Sequence, residues 1–323
     1  MAKKASVILV NYNGMPHLDA CISSVLKQSY KNFEVIFVDN NSSDGSLEYA
    51  RRKFPDLIFV DNDENLGYAG GINSGLSYAT GDYIGPLNID TEVVANWLST
   101  MVAFLDENPQ VGAVTPKILL FDDRTKINAL GLNIHITGLG FCRSLGKDDD
   151  NSVIPESVAG VSGCSYLIRR QLLEQMGGAP GWCFMGNDDV IVSWLLRLMG
   201  YEIYCLPESI VFHKYSLRMS PEKLFRLEKN RQTLLLSTLK PLTLLACLPI
   251  LLGIELMITV YSLAKGRSYA KAKFSSLASL WREWSNIKQR RAQYKLLRTI
   301  PDFALFRRLN WNLEWAQLLH IGR

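Results

Sequence analysis

An amide and a carboxylate lie one residue apart in the sequence Leu-Asn-Ile-Asp at residues 87–90. Two carboxylates with this spacing, an Asp-x-Asp motif, are typical of a site that binds a divalent cation with a diphosphate, because Mg²⁺ prefers carboxylate and phosphate oxygens. Asn88 stands in the first of these positions, so Asp90 is the anion that remains. The sequence therefore predicts a cation site at Asp90 that binds a free cation more weakly than two carboxylates would.

Other apolar runs in the first half of the chain also end in polar side chains, namely Asn11 and Asn13, then Asp39, Asn40 and Asn41, then Asp61 and Asn62. Helix capping explains one such end, but several strands that end in this way indicate one polar crevice. The absence of GxGxxG after the first run and of GxxxxGK[ST] argues against a dinucleotide-binding Rossmann site and a P-loop. The glycine-rich run ENLGYAGGINSGL is weaker evidence, since close packing of a helix on a sheet explains it equally well.

An acidic pair and a histidine supply further candidates for chemistry. Asp188 and Asp189 begin a predicted helix, where the macrodipole favours an ionised carboxylate that can act as a general base. Helix capping accounts for one acid at this position but does not require two. His213 ends the apolar run SIVFH and, taken alone, is more typical of a packed histidine at a strand end. With Asp90 in the same crevice it becomes a candidate metal ligand, better suited to Mn²⁺ than to Mg²⁺.

The elements that would position these residues alternate between strand and helix patterns. Apolar runs at SVILVNYN, FEVIFVDN, DLIFVDN, DYIGPLN and VGAVTPKILL are separated by segments with helical spacing. Apolar strands separated by helices indicate a parallel sheet that is covered on both faces. The pattern weakens over residues 122–161, where GKDDDNS is predicted to be a solvated loop. Beyond it the sequence predicts a helix at DDVIVSWLLRLMG, two short strands at YEIYCLP and SIVFH, and a helix that begins at Pro221.

Five of these motifs occur in a familiar order. SVILVNYNG, VDNNSSDGS, NLGYAGGINSGL, LNIDTEV and FMGNDDVIVSWLLRLMGYEIYCLPESIVFHKYS have the order and spacing of family-2 inverting glycosyltransferases. The chain resembles that family over about residues 5–240, and within it the rhamnosyltransferase-like branch. The resemblance implies an α/β fold of GT-A type, a Rossmann-like, mostly parallel mixed sheet flanked by helices, here followed by an apolar and basic helical extension. It also implies a nucleotide-diphosphate sugar as donor and Mn²⁺ or Mg²⁺ as cofactor.

The resemblance also implies roles for single residues. Asp39 resembles the carboxylate that binds the nucleotide base, beside Asn11 and Asn13. Asp90 and His213 resemble metal ligands, and Asp189, preceded by Asp188, resembles the catalytic base. The remaining predicted donor-binding residues are Asn65, Gly71, Asn73 and Asn88.

Three positions depart from the family pattern. Asn88 replaces an aspartate, and Ile89 stands where this branch often has proline. Asn187-Asp188-Asp189 stands where many relatives have Gly-Glu-Asp, so the pair of acids is kept. The prediction of a catalytic base is therefore little affected, whereas the predicted metal affinity is lowered.

Charge is distributed unevenly along the 323 residues, whose net charge is +4. Residues 265–323 contain 13 lysines and arginines against three acids, which leaves the first 264 residues mildly acidic. A basic tail on an acidic body predicts an anionic surface as partner. The six cysteines form no CxxC and lie mostly in apolar runs, which is typical of buried thiols in a reducing compartment. The apolar run after Lys4 is too short for a signal peptide and is predicted to be the first strand.

The most apolar segment, residues 242–261, has Glu255 as its single charge and approaches the length of a membrane span. A single span would place the basic tail opposite the cytoplasmic body, which conflicts with the preference of basic segments for the cytoplasmic side. A segment that breaks near Pro249 and returns avoids this conflict, and partial immersion is compatible with Glu255 and Lys240 at its edges. A buried helix or an oligomer contact is the third alternative. We expect peripheral or monotopic attachment to the cytoplasmic side of the cell membrane.

These observations predict four segments. Residues 1–120 would form the nucleotide-sugar-binding half of one GT-A domain and residues 121–230 its acceptor and base half. Residues 231–264 would associate with the membrane, and residues 265–323 would form a basic, tryptophan-containing helical tail.

The predicted function is a metal-dependent inverting glycosyltransferase that acts on a glycan or polyprenyl-linked glycan in cell-surface polysaccharide or lipid-linked glycan synthesis. The alternatives are a nucleotidyltransferase that makes a nucleotide sugar, and a non-catalytic membrane-attached binder of nucleotide sugars. Nucleic acid is disfavoured as a partner, because the basic tail directly follows the apolar segment. The sequence leaves the sugar, the linkage and the oligomeric state open.

Overall fold

The computed structural model describes residues 3–215 and 218–320, without the side chains of residues 319 and 320. The predicted segments 1–120, 121–230 and 265–323 each include a few residues outside this described part. The strands are β1 (Ala5–Asn11), β2 (Phe33–Asp39), β3 (Ile58–Asp61), β4 (Tyr83–Asn88), β5 (Thr91–Val93), β6 (Val111–Leu120), β7 (Ile127–Ala129), β8 (Leu132–Ile134), β9 (Gly140–Cys142), β10 (Glu156–Ser157), β11 (Leu167–Arg169) and β12 (Glu202–His213).

The α-helices of the described residues follow the same chain order. They are α1 (Leu18–Leu26), α2 (Ser46–Lys53), α3 (Gly67–Leu76), α4 (Trp97–Glu107), α5 (Arg170–Gln175), α6 (Asp188–Leu198), α7 (Pro221–Thr238), α8 (Pro241–Ala246), α9 (Leu248–Ala264), α10 (Arg267–Arg282), α11 (Trp284–Leu297), α12 (Asp302–Phe306) and α13 (Trp315–His320). Each strand predicted in the first 120 residues is present, and the segments with helical spacing between them form α1 to α4.

One mixed sheet carries the candidate site residues. Its strand order is β10–β12–β6–β11–β4–β1–β2–β3, with β5 beside β12 and β7 beside β6. The strands β4, β1, β2 and β3 are parallel neighbours, β6 and β12 are also parallel, and β11 is antiparallel between β4 and β6. The register aligns Asn11 with Asp39 and Asp39 with Asp61, so the polar strand ends lie at one edge of the sheet. The predicted fold class and the common edge are both confirmed.

Apolar side chains fill both faces of this sheet. Along β1, Ile8 and Val10 pack into one core with α3 and α6, whereas Val7 and Leu9 pack into the other with α1 and α4. All four of these side chains are buried. This arrangement explains the continuous apolar run, because a parallel strand covered on both faces has no solvent side that would favour polar residues.

One expectation for the second half of the chain was wrong, and the region without a clear pattern proved to contain short strands. The runs YEIYCLP and SIVFH form the single strand β12, whose pairing with β6 passes directly from Leu206 to Ile210. The intervening residues form a bulge, which suits Pro207 because proline has no N–H to give to a sheet. The weakly patterned region 122–161 contains four short strands, β7 to β10. Strands of two or three residues are too short to produce a periodic signal.

The apolar segment is broken, as predicted, and the break falls at Cys247 between α8 and α9. No helix in residues 3–215 and 218–320 is both long and apolar enough to cross a membrane. Glu255 lies within α9 and faces the neighbouring helices. Arg231 and Lys273 both bind Glu255, and both also bind Glu228, which forms an ion cluster of two acids and two bases between α7, α9 and α10.

The tail is helical, as predicted, and it folds back onto the body. Both α10 and α11 pack against α7, and α11 and α12 also contact α6. At its far end the amide of Asn310 donates to Ile134 at 2.8 Å, which ties the tail to β8. Several of its cations have internal partners, such as Lys273 in the ion cluster and Arg298 on Asp302 at 2.5 Å. The charge of the tail is therefore only partly available to an anionic surface.

Candidate active site

A buried amide–carboxylate contact connects the ends of β1 and β2. The side-chain nitrogen of Asn11 donates to Asp39 Oδ1 at 2.7 Å and to Ser46 Oγ at 2.7 Å. The second Asp39 oxygen accepts the amide of Ser42 at 2.8 Å. Asn11 Oδ1 is buried and has no hydrogen-bond partner among the described residues. A rigid pair that retains an unsatisfied acceptor is suited to a hydrogen-bonding ligand such as a nucleotide base.

The loops above this contact are linked to each other. Asn13 has a left-handed backbone, with φ of 54°, and its Oδ1 accepts the amide of Ser43 at 2.8 Å. Asn40 donates to the carbonyl of Gly67 at 2.9 Å and accepts from Asn62 at 2.7 Å. The three predicted polar strand ends after β1, β2 and β3 therefore form one connected wall.

The glycine-rich segment packs α3 against its neighbours. Asn65 Oδ1 accepts the amide of Gly67 at 2.8 Å, at the start of the helix. A Cβ on Gly71 would lie 2.5 Å from Val10, so the helix approaches β1 too closely for a side chain. Both polar atoms of Asn73 bond the main chain of Ala179, at 2.7 and 2.9 Å. Gly71 and Asn73 thus have packing roles here, and their contacts with a donor stay predictions.

The predicted metal ligands are brought together by the pairing of β5 with β12, which aligns His213 with Thr91. His213 Nε2 lies 3.5 Å from Asp90 Oδ1. On the other side of the ring, His213 Nδ1 donates to Asn128 Oδ1 at 2.8 Å, which orients the imidazole with Nε2 toward Asp90. Asn128 lies on β7 in the weakly patterned region, and no signal in the sequence marked it as the residue that orients this imidazole.

This pair fits a divalent cation by spacing and by chemistry. Neighbouring ligands of an octahedral ion with bonds of about 2.1 Å lie about 3 Å apart, close to the observed separation. Burial raises the pKa of Asp90, but the hydrogen bond and charge of His213 outweigh it, so the net pKa is lowered and the carboxylate is anionic at neutral pH. No cluster of three or more histidine, cysteine or acidic ligands occurs in the described part of the chain. A cation at Asp90 and His213 would therefore need ligands from a bound substrate.

The acidic pair lies at the start of α6, next to Asn187, whose backbone is left-handed. Asp188 is 8% exposed and accepts the amide of Gly186 at 3.1 Å. Burial, and then the charge of Asp189, raises the pKa of the Asp188 carboxyl. Asp189 accepts the amides of Gly163 and Val190 at 2.9 and 2.8 Å, and burial raises its pKa as well. Burial of both carboxyls therefore acts against the helix dipole, which by itself favours their charged forms.

Two tyrosines lie near both the acidic pair and the Asp90–His213 pair. Burial raises the pKa of Tyr68, and the negative charges of Asp188 and Asp90 both add to this increase. Tyr68 also donates to the carbonyl of Gly163, whose amide holds Asp189. Tyr215 lies with its ring 5.8 Å from that of His213, and its raised pKa has burial as first cause and the charge of Asp189 among the others. These tyrosines and Gly163 were not identified from the sequence, where isolated residues of these types carry no signal.

A mixed sheet of this topology with a polar crevice at its strand ends belongs to the GT-A class. In three dimensions the chain is similar to the mannosyltransferase PcManGT from Pyrobaculum calidifontis, solved in complex with GDP-Man and Mn²⁺, with a TM-score of 0.56 and 22% identity over 92% of this chain and 87% of that one. It is also similar to GalNAc-T7 with UDP, GalNAc and Mn²⁺, with a TM-score of 0.59 and 18% identity over 74% of this chain and 48% of that one. At these identities the likeness shows the fold alone.

Sequence comparison gives the family. The model of glycosyl transferase family 2 matches residues 6–177, and the chain belongs to this family. A poly-beta-1,6-N-acetyl-D-glucosamine synthase of Staphylococcus aureus (strain COL) is 30% identical over 229 residues, which cover 69% of this chain. That alignment covers 52% of the synthase, so the chain spans about half the length of the curated relatives it matches. The family prediction is confirmed, and the rhamnosyltransferase-like branch stays a prediction.

Proposed function

We propose that this protein is a metal-dependent inverting glycosyltransferase that transfers a hexosyl or deoxyhexosyl group from a nucleotide-diphosphate sugar to an acceptor hydroxyl. The observation that carries this proposal is the placement of two acidic centres around one crevice. Asp90 with His213 stands on one side, Asp188 with Asp189 on the other, and Tyr68 and Tyr215 connect them. A reaction that separates a diphosphate from a sugar and removes a proton from a hydroxyl needs both kinds of centre.

The donor half of the crevice consists of residues that are already fixed in place. The carboxylate of Asp39 is held by the side chain of Asn11 and the amide of Ser42, so its direction is fixed before a nucleotide base binds. Asn13 and Asn65 shape the adjoining loops, and Asn88 adds a neutral amide two residues from Asp90. Preformed contacts of this kind lower the entropic cost of binding.

Asp90 and His213 would hold Mn²⁺ or Mg²⁺ in this proposal. When bound, the cation would neutralise charge on the departing nucleoside diphosphate. The imidazole is oriented for this role by Asn128, and the carboxylate is kept anionic by His213. Because the chain supplies two ligands here, the diphosphate oxygens would complete the coordination. The cofactor is therefore expected to bind together with the donor.

Asp189 would act as the base that accepts the proton of the acceptor hydroxyl. It is more exposed than Asp188, and two backbone amides fix the direction of its carboxylate. Burial raises its pKa, which makes the carboxylate a stronger base than an ordinary surface aspartate. Asp188 would be a neighbour that adjusts this pKa, since it lies deeper and raises the cost of a second charge.

The surroundings of α9 support a position at a membrane surface. A stripe of exposed apolar side chains runs along α8 and α9: Leu242, Leu245, Leu248, Leu252, Leu256, Val260 and Leu263. An exposed apolar surface of this size on a helix is typical of a segment that lies in the headgroup region of a bilayer. We propose peripheral or monotopic attachment at the cytoplasmic side, where nucleotide sugars are available. The relative that synthesises poly-beta-1,6-N-acetyl-D-glucosamine supports a glycan acceptor in cell-surface polysaccharide synthesis.

A donor screen tests this function. The full chain would be incubated with a panel of nucleotide sugars, with Mn²⁺, with Mg²⁺ or with a chelator, and the released nucleotide would be identified. Release of a nucleoside diphosphate that depends on the metal is expected for at least one donor. Release of pyrophosphate instead would indicate a nucleotidyltransferase. Tight donor binding without any turnover would indicate a non-catalytic binder and would contradict the proposal.

A further inference from the structure

An apolar cavity of about 290 Å³ opens beside the acidic pair. Its walls come from the β8–β9 hairpin, from α7, from α9 and from α13, and the side chains that matter here are Phe141, Leu224, Leu227, Met257 and Ile258. The two charged residues at its border, Glu228 and Arg231, are hydrogen-bonded to each other at 2.8 and 2.9 Å. The interior is therefore lined mainly by hydrocarbon, and the charges at its edge are already paired.

One end of the cavity lies next to the acidic pair. Asn187 lines it and directly precedes Asp188. A Cβ on Gly140 in β9 would lie 2.4 Å from Val190, so the hairpin presses against the first turn of α6. Phe141, also in the wall, precedes Cys142, whose pKa is raised by burial and then by the charge of Asp189. A molecule in the cavity would thus have one end within reach of the crevice.

The other side of the cavity reaches the apolar stripe. Met257 and Ile258 line the cavity from α9, whereas Leu256, their neighbour on the same helix, is 66% exposed and belongs to the stripe. A chain that leaves the cavity on this side would enter the same apolar surface that the stripe contacts. The volume is at the low end of small-molecule sites, so the cavity would hold only a section of a long hydrocarbon.

We infer that this cavity binds the hydrocarbon chain of an amphiphilic acceptor and directs its hydroxyl-bearing head toward Asp189. The inference rests on the proposed function, because it gives the acceptor its chemical class: a sugar or sugar phosphate joined to an alkyl or polyprenyl chain. The hydrocarbon of the acceptor lies between α7, α9 and the β8–β9 hairpin, and its remainder lies among the lipids that contact the stripe. Binding of the chain in a dry pocket supplies affinity, and the position of the pocket supplies orientation.

A series of acceptors that differ only in chain length tests the inference. Methyl, octyl and dodecyl glycosides of one sugar would be compared below their micelle concentrations and without vesicles. The affinity of the wild-type protein by calorimetry, and its KM for transfer, are expected to improve about fourfold for each methylene that enters the cavity, until it is full. Equal affinities for methyl and dodecyl glycosides would overturn the inference.

Variants locate the effect. Met257→Trp fills the cavity and is expected to remove the dependence of affinity on chain length. Ala264→Trp adds the same side chain at an exposed position of α9 that lies outside the cavity and the stripe, and it is expected to keep both that dependence and the transfer to the methyl glycoside. The melting midpoint and the affinity for the nucleoside diphosphate report whether each variant is folded. An unchanged chain-length dependence in folded Met257→Trp would contradict the assignment of this cavity.

Two further outcomes show whether the hydrocarbon in the cavity belongs to the acceptor or to a bilayer lipid, and whether the inference or the proposed function fails. If vesicles of phospholipid stimulate transfer to the methyl glycoside, and Met257→Trp removes this stimulation, the cavity binds a bilayer lipid and the inference about the acceptor fails. If dodecyl glycoside binds with the expected chain dependence but no nucleotide sugar is turned over, the proposed function fails while the hydrocarbon site stands.

Discussion

At the scale of single residues, the site depends on how charge is divided between two pairs. Asp90 is the anion of its motif, and a hydrogen bond from His213 Nδ1 to Asn128 Oδ1 orients the imidazole beside it. The acidic pair at residues 188–189 carries more negative charge, but burial raises the pKa of both carboxyls. The sequence could identify Asp90 and the acids from spacing and resemblance. It could not identify Asn128 or Gly163, because their roles depend on contacts with residues that are 85 and 26 positions away.

Metal binding should depend on the nucleotide donor and on Asp90, and much less on Asn88. We expect Mn²⁺ to bind poorly to the free protein and markedly better with a nucleoside diphosphate, since two protein ligands form an incomplete shell. Asp90→Ala should lower metal-dependent nucleotide binding and turnover on the order of 100-fold, whereas Asn88→Ala should lower them less than about tenfold. Calorimetry with and without nucleotide measures this difference. Equal losses in the two variants would mean that Asn88 is also a direct ligand.

The acidic pair should destabilise the folded protein. Because the pKa of Asp188 is raised in the folded state, the folded protein loses stability as the pH rises through that value. Asp188→Asn keeps an acceptor for the Gly186 amide and removes the charge that faces Asp189, Tyr68 and Cys183. We expect a melting midpoint about 2–4 °C above wild type near pH 8, with the gain shrinking as the pH is lowered. A gain that is independent of pH, or a loss, would contradict the direction of the shift.

At the scale of elements, local patterns predicted the strands and helices of the first half well. Five apolar runs became five strands, and four of them, β1, β2, β4 and β6, are largely buried, which leaves a continuous signal. The role of the glycine-rich entry to α3 was less clear from the sequence. Gly67 has a φ of 72°, and a Cβ there would lie 2.2 Å from the carbonyl of Phe184. That contact joins α3 to the loop before the acidic pair. The need for a glycine at position 67 is therefore explained by a residue that lies over 100 positions away in the sequence.

Gly67→Ala should therefore destabilise the protein more than backbone strain alone explains. The control is Gly146→Ala, which has a similar φ of 76° and open space around its Cβ position. Strain in the left-handed region is expected to cost Gly146→Ala about 1 kcal/mol. Gly67→Ala is expected to cost on the order of 3 kcal/mol, since the collision with Phe184 is added. Urea unfolding measures both, and equal losses would show that the Phe184 loop moves away freely.

The apolar stripe on α8 and α9 is the other element with a measurable role. The double variant Leu252→Gln/Leu256→Gln should lower binding to vesicles at least about tenfold, because both side chains are exposed and would lose apolar contact with the bilayer. Binding of the wild-type chain should persist in high salt, since burial of apolar surface is not screened. Co-sedimentation with vesicles that contain anionic lipid measures both. Complete release of the wild-type chain by salt alone would show that the basic tail, not the stripe, is responsible.

At the scale of the whole molecule, the C-terminal half packs against the body through contacts between residues that are far apart in the sequence. The sequence predicted an apolar segment followed by a separate basic tail, and the order of these segments is correct. Their relation to the body was not predictable, because the ion cluster joins Glu228 to Lys273 across 45 residues and Asn310 pairs with β8 across more than 170. Within the tail, α13 lines the cavity together with α7, α9 and the β8–β9 hairpin, so residues far apart in the sequence build the proposed acceptor site.

The central claim is that Asp189 removes the proton of the acceptor while the donor is held by other residues. Asp189→Asn keeps the size of the side chain and should lower the rate of transfer about 100- to 10,000-fold. Asp82→Asn is the matched control, because Asp82 is exposed at the opposite edge of the sheet, where it accepts the amide of Lys4. The decisive measurement is the single-turnover rate of each variant beside its affinity for the nucleotide sugar. A lost rate with nearly unchanged donor affinity in Asp189→Asn, and normal values in Asp82→Asn, is the predicted result; normal turnover in Asp189→Asn would contradict the account.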